Sequence, residues 1–258
     1  MNPNNLFSLQ DKAAVVIGGG GVLAGELSMG FAAAGANVAV VDYNGQAAEA
    51  RAVAIRALDR KAIAIAADAT QKDQLQKSLD ETLRSFGRVD ILLNAAGINS
   101  ATPFFEVQEQ EWQRILDVNL KSVFLACQIF GRAMIDAGGG GSIINIGSAS
   151  SGPPLSKVFT YSVTKAGVNQ ITQFLAREFA PHRIRVNAIQ PGFFPAEQNR
   201  KILTPERVAS IMGHTPMNRF GEASELIGAA VYLASDQASS FVTGTILRVD
   251  GGFGAMTI

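Results

Sequence analysis

The chain is poor in the residues that build covalent staples and metal cages, with 1 cysteine and 2 histidines among 258 residues. The lone thiol, Cys127, has no internal disulfide partner and falls in an apolar stretch, 123–130, where a small core side chain is the simplest reading. His182 and His214 stand 32 positions apart with no acidic ligand pattern between them, so no metal centre is expected, and His182 reads as a helix-end or surface residue. An excess of either charge is also missing. Lys plus Arg and Asp plus Glu number 22 each, without a basic stripe, which removes the phosphate contacts on which nucleic-acid affinity depends. No apolar run reaches the ~18 residues of a membrane span. The opening residues, MNPNNLFSLQDK, lack the basic-then-apolar pattern of a leader, so no membrane is expected and the cytoplasm is the default address. Aromatics are only 7%, which suits helices packed closely on a sheet better than an aromatic-rich sandwich.

What is abundant is apolar side chain, 47% of the sequence, enough to fill one core and make residues 1–258 a single domain. Short apolar runs alternate with helical stretches. Strands are expected at 13–17, 37–41, 62–66, 90–94, 142–146, 185–189 and 246–249, with helices near 22–34, 46–58, 72–86, 109–137, 159–180 and 224–235. Strands this short and continuously apolar have no wet face. They predict an α/β fold, a doubly wound three-layer sandwich with a central parallel sheet. The longest region without strand character, 191–220, contains Pro195, Pro205 and Pro216 and is a candidate substrate-binding lid.

Four glycines, Gly18 to Gly21, end the first strand and open the first helix. Glycine there permits a tight turn and close backbone approach, and the helix start offers free N–H groups to a pyrophosphate. Asp42 ends the next strand, 24 residues beyond Gly18, where a carboxylate can accept from both hydroxyls of a ribose. Tyr43 and Asn44 follow it, with no arginine to meet a 2'-phosphate, so the expected cofactor is NAD. Asp68, after the third strand, is either an adenine-edge contact or an Asx turn. Tyr161 and Lys165 lie four apart on one helical face, so the ammonium is expected to favour the phenolate and make the tyrosine an acid/base. Ser148 leaves the end of a strand, where its hydroxyl can hold a reacting oxygen.

These motifs together resemble the short-chain dehydrogenase/reductase family over nearly the whole chain. The resemblance is carried by Ile17 and Gly18 to Ala24, by Asn94-Ala95-Ala96-Gly97, by Asp117-Val118-Asn119, by Ser148 thirteen residues before Tyr161, by Tyr161-Ser162-Val163-Thr164-Lys165, and by Pro191-Gly192. It implies a Rossmann-type fold and a catalytic set of Asn119, Ser148, Tyr161 and Lys165, with Asn119 holding a proton relay and Lys165 on the nicotinamide ribose. It also implies a cofactor set of Gly18, Gly21, Val22, Leu23, Asp42, Asp68, Ala69, Asn94, Ala95, Gly97, Tyr161, Lys165, Pro191, Gly192 and Phe193, and a homotetramer. Four positions depart from the usual pattern: Ile17 for threonine, Val22 and Ala24 for glycine, and Gly147 for a serine beside Ser148; they leave the catalytic set complete and bear on cofactor affinity.

Within the family, Pro191 to Phe194, Glu197 to Arg200 and His214 to Gly221 resemble the branch that interconverts D-mannonate and D-fructuronate. A sugar-acid or polyol substrate is thus expected, read by Ser148, Ser150, Tyr161, Gln198, Asn199, Arg200, His214 and Arg219, with arginine offering a bidentate fork to a carboxylate. Other readings stay open: another sugar or polyol dehydrogenase, a 3-oxoacyl-thioester reductase, or a non-catalytic NAD-binding protein.

Overall fold

A computed structural model describes residues 5–153, 155–195 and 203–256. Its elements are β1 (Ala13–Ile17), α1 (Val22–Ala33), β2 (Asn37–Asp42), α2 (Gly45–Arg56), β3 (Ala62–Ala66), α3 (Lys72–Phe86), β4 (Ile91–Asn94), α4 (Glu109–Leu116), α5 (Ser122–Ala137), β5 (Gly141–Ile146), α6 (Phe159–Phe179), β6 (Ile184–Pro191), α7 (Pro205–Gly213), α8 (Ile227–Ala234), α9 (Asp236–Ser239) and β7 (Ile246–Val249). The strands form one parallel seven-stranded sheet in the order β3-β2-β1-β4-β5-β6-β7. The order in which successive strands are added reverses between β1 and β4, and such a switch leaves a crevice at the carboxyl ends of the strands.

Two cores cover the two faces. Along β1, Ala14 and Val16 face the side covered by α1, α2 and α8, while Val15 and Ile17 face the side covered by α3, α5 and α6. The same alternation recurs in β2, where Val38 and Val40 oppose Ala39 and Val41. Successive strand side chains point to opposite faces, so a run that is apolar at every position needs helices on both, and these strands have them. Cys127 lies in the second core, and burial pushes its thiol up to about 12.

The expected long helix 109–137 is one helical rod with a fault in it. A π-helical turn, Asp117–Lys121, separates α4 from α5. The rod spans Glu109–Ala137, 29 residues, and its most apolar window is 56% buried inside the fold, the property of a core helix. Helix α3 ends on Gly87 and α5 on Gly138, both left-handed, where glycine carries no Cβ penalty.

Candidate active site

The crevice at the strand ends is a cleft of about 1260 Å³ lined from both halves of the sheet. On the β1–β3 half the glycine turn forms its floor. Gly18 has φ +81°, and a Cβ there would come within 2.8 Å of the Ala96 backbone nitrogen, so only glycine lets the turn pass under the residues after β4. Helix α1 starts at Val22 with no side-chain cap among the described residues, which leaves N–H groups of its first turn facing the cleft. Asp42 is held in place by its backbone surroundings: Gly20 N–H donates to Oδ2 at 3.0 Å and Asn44 N–H to Oδ1 at 2.8 Å. Both carboxylate oxygens keep further lone pairs for the cleft. Asp68 also lines the cleft, but its Oδ1 accepts from the Thr70 N–H and hydroxyl at 2.9 and 2.8 Å, the Asx-turn alternative.

The glycine turn, the uncapped helix start and the carboxylate at the end of β2 fit a dinucleotide. Of the expected cofactor residues, Gly18, Gly21, Val22, Leu23, Asp42, Asp68, Ala69, Ala95, Gly97, Tyr161, Lys165, Pro191, Gly192 and Phe193 all line the cleft. Asn94 does not. Its side chain turns into the core, donating to Asn145 Oδ1 at 2.8 Å and toward Cys127 Sγ at 3.4 Å. The reason lies in strand parity: Asn94 and Asn145 are register partners on β4 and β5, and both face α5.

On the other half, α6 brings Tyr161 and Lys165 to the cleft from its first two turns. Lys165 is buried, its Nζ donating to the Ile146 carbonyl at the end of β5 at 2.8 Å. The same Nζ lies 5.6 Å from the centroid of the Tyr161 ring. Desolvation pushes the Lys165 ammonium down to about 8. Burial raises the Tyr161 phenol above its ordinary range, opposed by a hydrogen bond with Ser148. The lysine that is expected to favour the phenolate gives a hydrogen bond to the Ile146 carbonyl and stands near the Tyr161 ring.

Ser148 leaves β5 and caps the single turn Ala149–Ser151. Its Oγ accepts from Ser150 N–H at 3.2 Å and from Ser150 Oγ at 3.0 Å, so its own proton points away from Ser150, toward the Tyr161 side of the cleft. Ser150, expected as a substrate contact, lines the cleft but gives its hydroxyl proton to Ser148. Asn119 lies behind, fully buried in the π-turn. Its Oδ1 accepts from Ile98 N–H at 2.8 Å, and its Nδ2 donates to Ile98 O at 2.8 Å and Thr164 Oγ1 at 3.1 Å. A Cβ on Gly97 would sit 3.6 Å from Asn119 Oδ1 and 3.7 Å from Lys165 Nζ, so the smallest residue keeps open the space between them.

The expected substrate readers fare less well. Gln198, Asn199 and Arg200 lie outside the described residues. His214 is exposed, packed edge-on against Phe253 at 4.8 Å, and does not line the cleft. Arg219 is exposed and forked onto Glu225, Nη1 at 2.8 Å and Nη2 at 2.6 Å, so the fork it was expected to offer a substrate's acid group is already taken by a carboxylate of the chain itself. In their place the cleft is lined by Arg207 of α7 and by one face of α4, Gln110, Gln113 and Arg114, none of which stands out in the sequence.

A parallel sheet that offers a glycine turn on one half and a tyrosine, lysine, serine and asparagine on the other defines a nicotinamide-dependent oxidoreductase acting on CH–OH groups. Residues 22–254 match the family model described as enoyl-(acyl carrier protein) reductase. The 2-dehydro-3-deoxy-D-gluconate 5-dehydrogenase of Escherichia coli (strain K12) is 36% identical over 248 residues, covering 96% of this chain and 97% of that one. The gluconate 5-dehydrogenase structure from Burkholderia cenocepacia J2315, in complex with NADP and tartrate, superposes with a TM-score of 0.94 at 33% identity over 99% of this chain and all of that one (100%). A Haemophilus influenza protein provisionally named a D-mannonate oxidoreductase, with bound NAD, superposes with a TM-score of 0.93 at 33% identity, covering 99% of each chain. The chain belongs to the short-chain dehydrogenase/reductase family, and these two relatives of known structure carry NADP and NAD respectively.

Proposed function

We propose that the chain interconverts a secondary hydroxyl and a keto group on a sugar acid, as between D-mannonate and D-fructuronate, with NAD as its preferred dinucleotide. One observation carries the chemistry: Ser148, Tyr161 and Lys165 line the same cleft, with Lys165 and Asn119 anchored by hydrogen bonds to the backbone behind it. A bound nicotinamide supplies the hydride acceptor or donor. The chain's own residues handle the proton. Ser148 turns its O–H to the substrate oxygen, and Tyr161 gives its phenol proton to that oxygen in reduction or takes one in oxidation. Lys165 holds positive charge beneath the phenol, and Asn119 positions the far end of the relay through Ile98. The polar relatives above, which bear gluconate and mannonate in their names, support a hydroxylated acid as substrate. The stretch 191–220, which carries Arg207, is the proposed lid. A homotetramer belongs to the same reading, and the exposed Phe124, Val163 and Phe174 on α5 and α6 support an interface on those helices.

NAD preference follows from Asp42. A fixed carboxylate beside the ribose repels a 2'-phosphate, and the next two residues, Tyr43 and Asn44, bring no cation. Asp42→Ala is expected to lower kcat/KM with NAD by about tenfold and to narrow the gap to NADP by about the same factor. A wild-type enzyme that turns over faster with NADP sinks the NAD assignment. The substrate is tested by following reduced cofactor with purified protein and a panel of hexonates, neutral polyols and 3-hydroxyacyl thioesters. Turnover is expected on the hexonates first, and turnover confined to neutral polyols or thioesters rules against the sugar acid.

A further inference from the structure

The excursion after β6 delivers one arginine into the cleft. Helix α7 starts on Pro205 behind a Thr204 cap, and Arg207, within its first turn, shares the cleft with Ser148, Tyr161 and Lys165. Its guanidinium reaches the loop between Ser148 and Tyr161, Nη2 donating to the Ser156 carbonyl at 3.1 Å and Nη1 to Ser156 Oγ at 3.4 Å. Both acceptors are neutral and leave most of the fork's donors unused. Neither arginine that lines the cleft, Arg114 or Arg207, has a carboxylate partner among the described residues, unlike Arg51, Arg56, Arg88, Arg132, Arg185 and Arg219, and Arg207 is the one that follows β6. Its neighbours do not supply a counter-charge. The Glu206 carboxyl is held below the usual range by its own backbone N–H, then by the Thr204 hydroxyl and by nearby Lys157, so glutamate and lysine offset each other.

Charge is divided across the cleft. The acids that line it, Asp42, Asp68 and Asp117, sit on the glycine-turn half or on the α4 wall. Each already has donors: Gly20 and Asn44 on Asp42, Thr70 on Asp68, and Gln113 Nε2 on Asp117 at 3.0 Å. The β5–β6 half carries the cations Lys165 and Arg207, while Arg114 shares the α4 wall with Asp117. An anionic substrate is therefore drawn to the side where its reacting carbon meets Tyr161.

We infer that Arg207 is the specificity-determining residue that takes the substrate carboxylate on its guanidinium fork, leaving the carbinol end to Ser148 and Tyr161. This rests on the sugar-acid reading above and gives it a residue. A planar fork with two parallel donors matches a carboxylate, whereas a neutral amide or hydroxymethyl group accepts less and carries no charge. The tie to Ser156 gives the guanidinium a fixed aim. It also couples binding of the acid to the loop that separates Ser148 from Tyr161.

The test compares D-mannonate with neutral D-mannonamide, the same carbon chain without the charge, in the wild type, Arg207→Gln and Arg207→Lys. The readout is the ratio of kcat/KM for the acid to kcat/KM for the amide. Arg207→Gln is expected to lower that ratio by about 100-fold, chiefly through a raised KM for the acid. Arg207→Lys, which keeps the charge and loses the fork, is expected to recover part of it. Dinucleotide affinity, followed by quenching of the single tryptophan, Trp112, checks that each variant is folded. If the wild type uses acids but Arg207→Gln keeps the full ratio, or loses both substrates in parallel, the assignment of Arg207 is overturned while the sugar-acid reading stands. If the wild type uses neutral polyols and no acid, both are overturned.

Discussion

Replacing Tyr161 by phenylalanine is expected to lower turnover by about 10³-fold in either direction, with dinucleotide affinity retained. The ring remains to fill its place on α6, so the cleft keeps its shape, and only the hydroxyl that meets Ser148 is removed. Direction and pH bear on the result. Burial raises the phenol, so at neutral pH it is protonated and ready as an acid for reduction, while oxidation needs the phenolate and gains as pH rises. Wild-type oxidation is thus expected to climb from acid pH up to about pH 8, where Lys165 begins to lose its charge, and the residual activity of Tyr161→Phe to be flat over that rise. A phenylalanine variant that keeps wild-type turnover removes Tyr161 from the chemistry and the proposed mechanism with it.

Lys165→Met is expected to make the protein more stable and the enzyme nearly inert. The native lysine gives up its proton near pH 8, below its unfolded value of 10.5. Between those two pH values the unfolded chain binds more protons, so stability rises with pH across that window. Below about pH 8 the native state carries a buried ammonium at full penalty. Every pH unit that separates the folded from the unfolded value is worth about 1.4 kcal/mol, so removing the charge gains about 3 kcal/mol at neutral pH. Losing the bond to the Ile146 carbonyl returns about 1 kcal/mol, for a net gain of about 2 kcal/mol. Thermal melts at pH 7 and pH 10 are the measurement: the variant should melt several degrees above the wild type at pH 7, with the gap closing at pH 10. Turnover should fall by about 100-fold or more. Reduction by the wild type should also fade above about pH 8, as the ammonium is lost. A variant that melts lower than the wild type at pH 7 shows that the lysine stabilises the fold, the opposite of what its burial implies.

Much of this was legible in the sequence because each strand is apolar at nearly every position. A run such as Ala13–Ile17 has to lie between two helical layers, and the glycines that follow it have to mark a turn. What could not be read is where side chains at element ends point. Asn94 belongs to a family motif, yet strand parity sends it into the core beside Asn145, a pairing visible only once β4 and β5 are in register. Arg219 looked like a carboxylate reader because nothing in a loop sequence reveals that Glu225, six residues on, already occupies its fork. Arg207 went unnoticed for the opposite reason: on a short amphipathic helix it reads as solvated, and only the loop carrying Ser156 turns it inward. The π-turn at Asp117–Lys121 was hidden inside good helix-forming residues, and no apolar period reports an extra residue.

That extra residue constrains what descendants of this chain can become. In a helix each position advances by about 100°, so one inserted residue rotates everything after it by that angle relative to everything before. Upstream, Gln110, Gln113 and Arg114 present a polar wall; downstream, Val123, Cys127, Phe130 and Met134 bury against the sheet. A lineage that deleted one amino acid here would still form an unbroken rod, yet it would swing one of those two surfaces the wrong way and carry Asn119 off Ile98. The length of this joint is thus as much a part of the site's geometry as the residues it aligns.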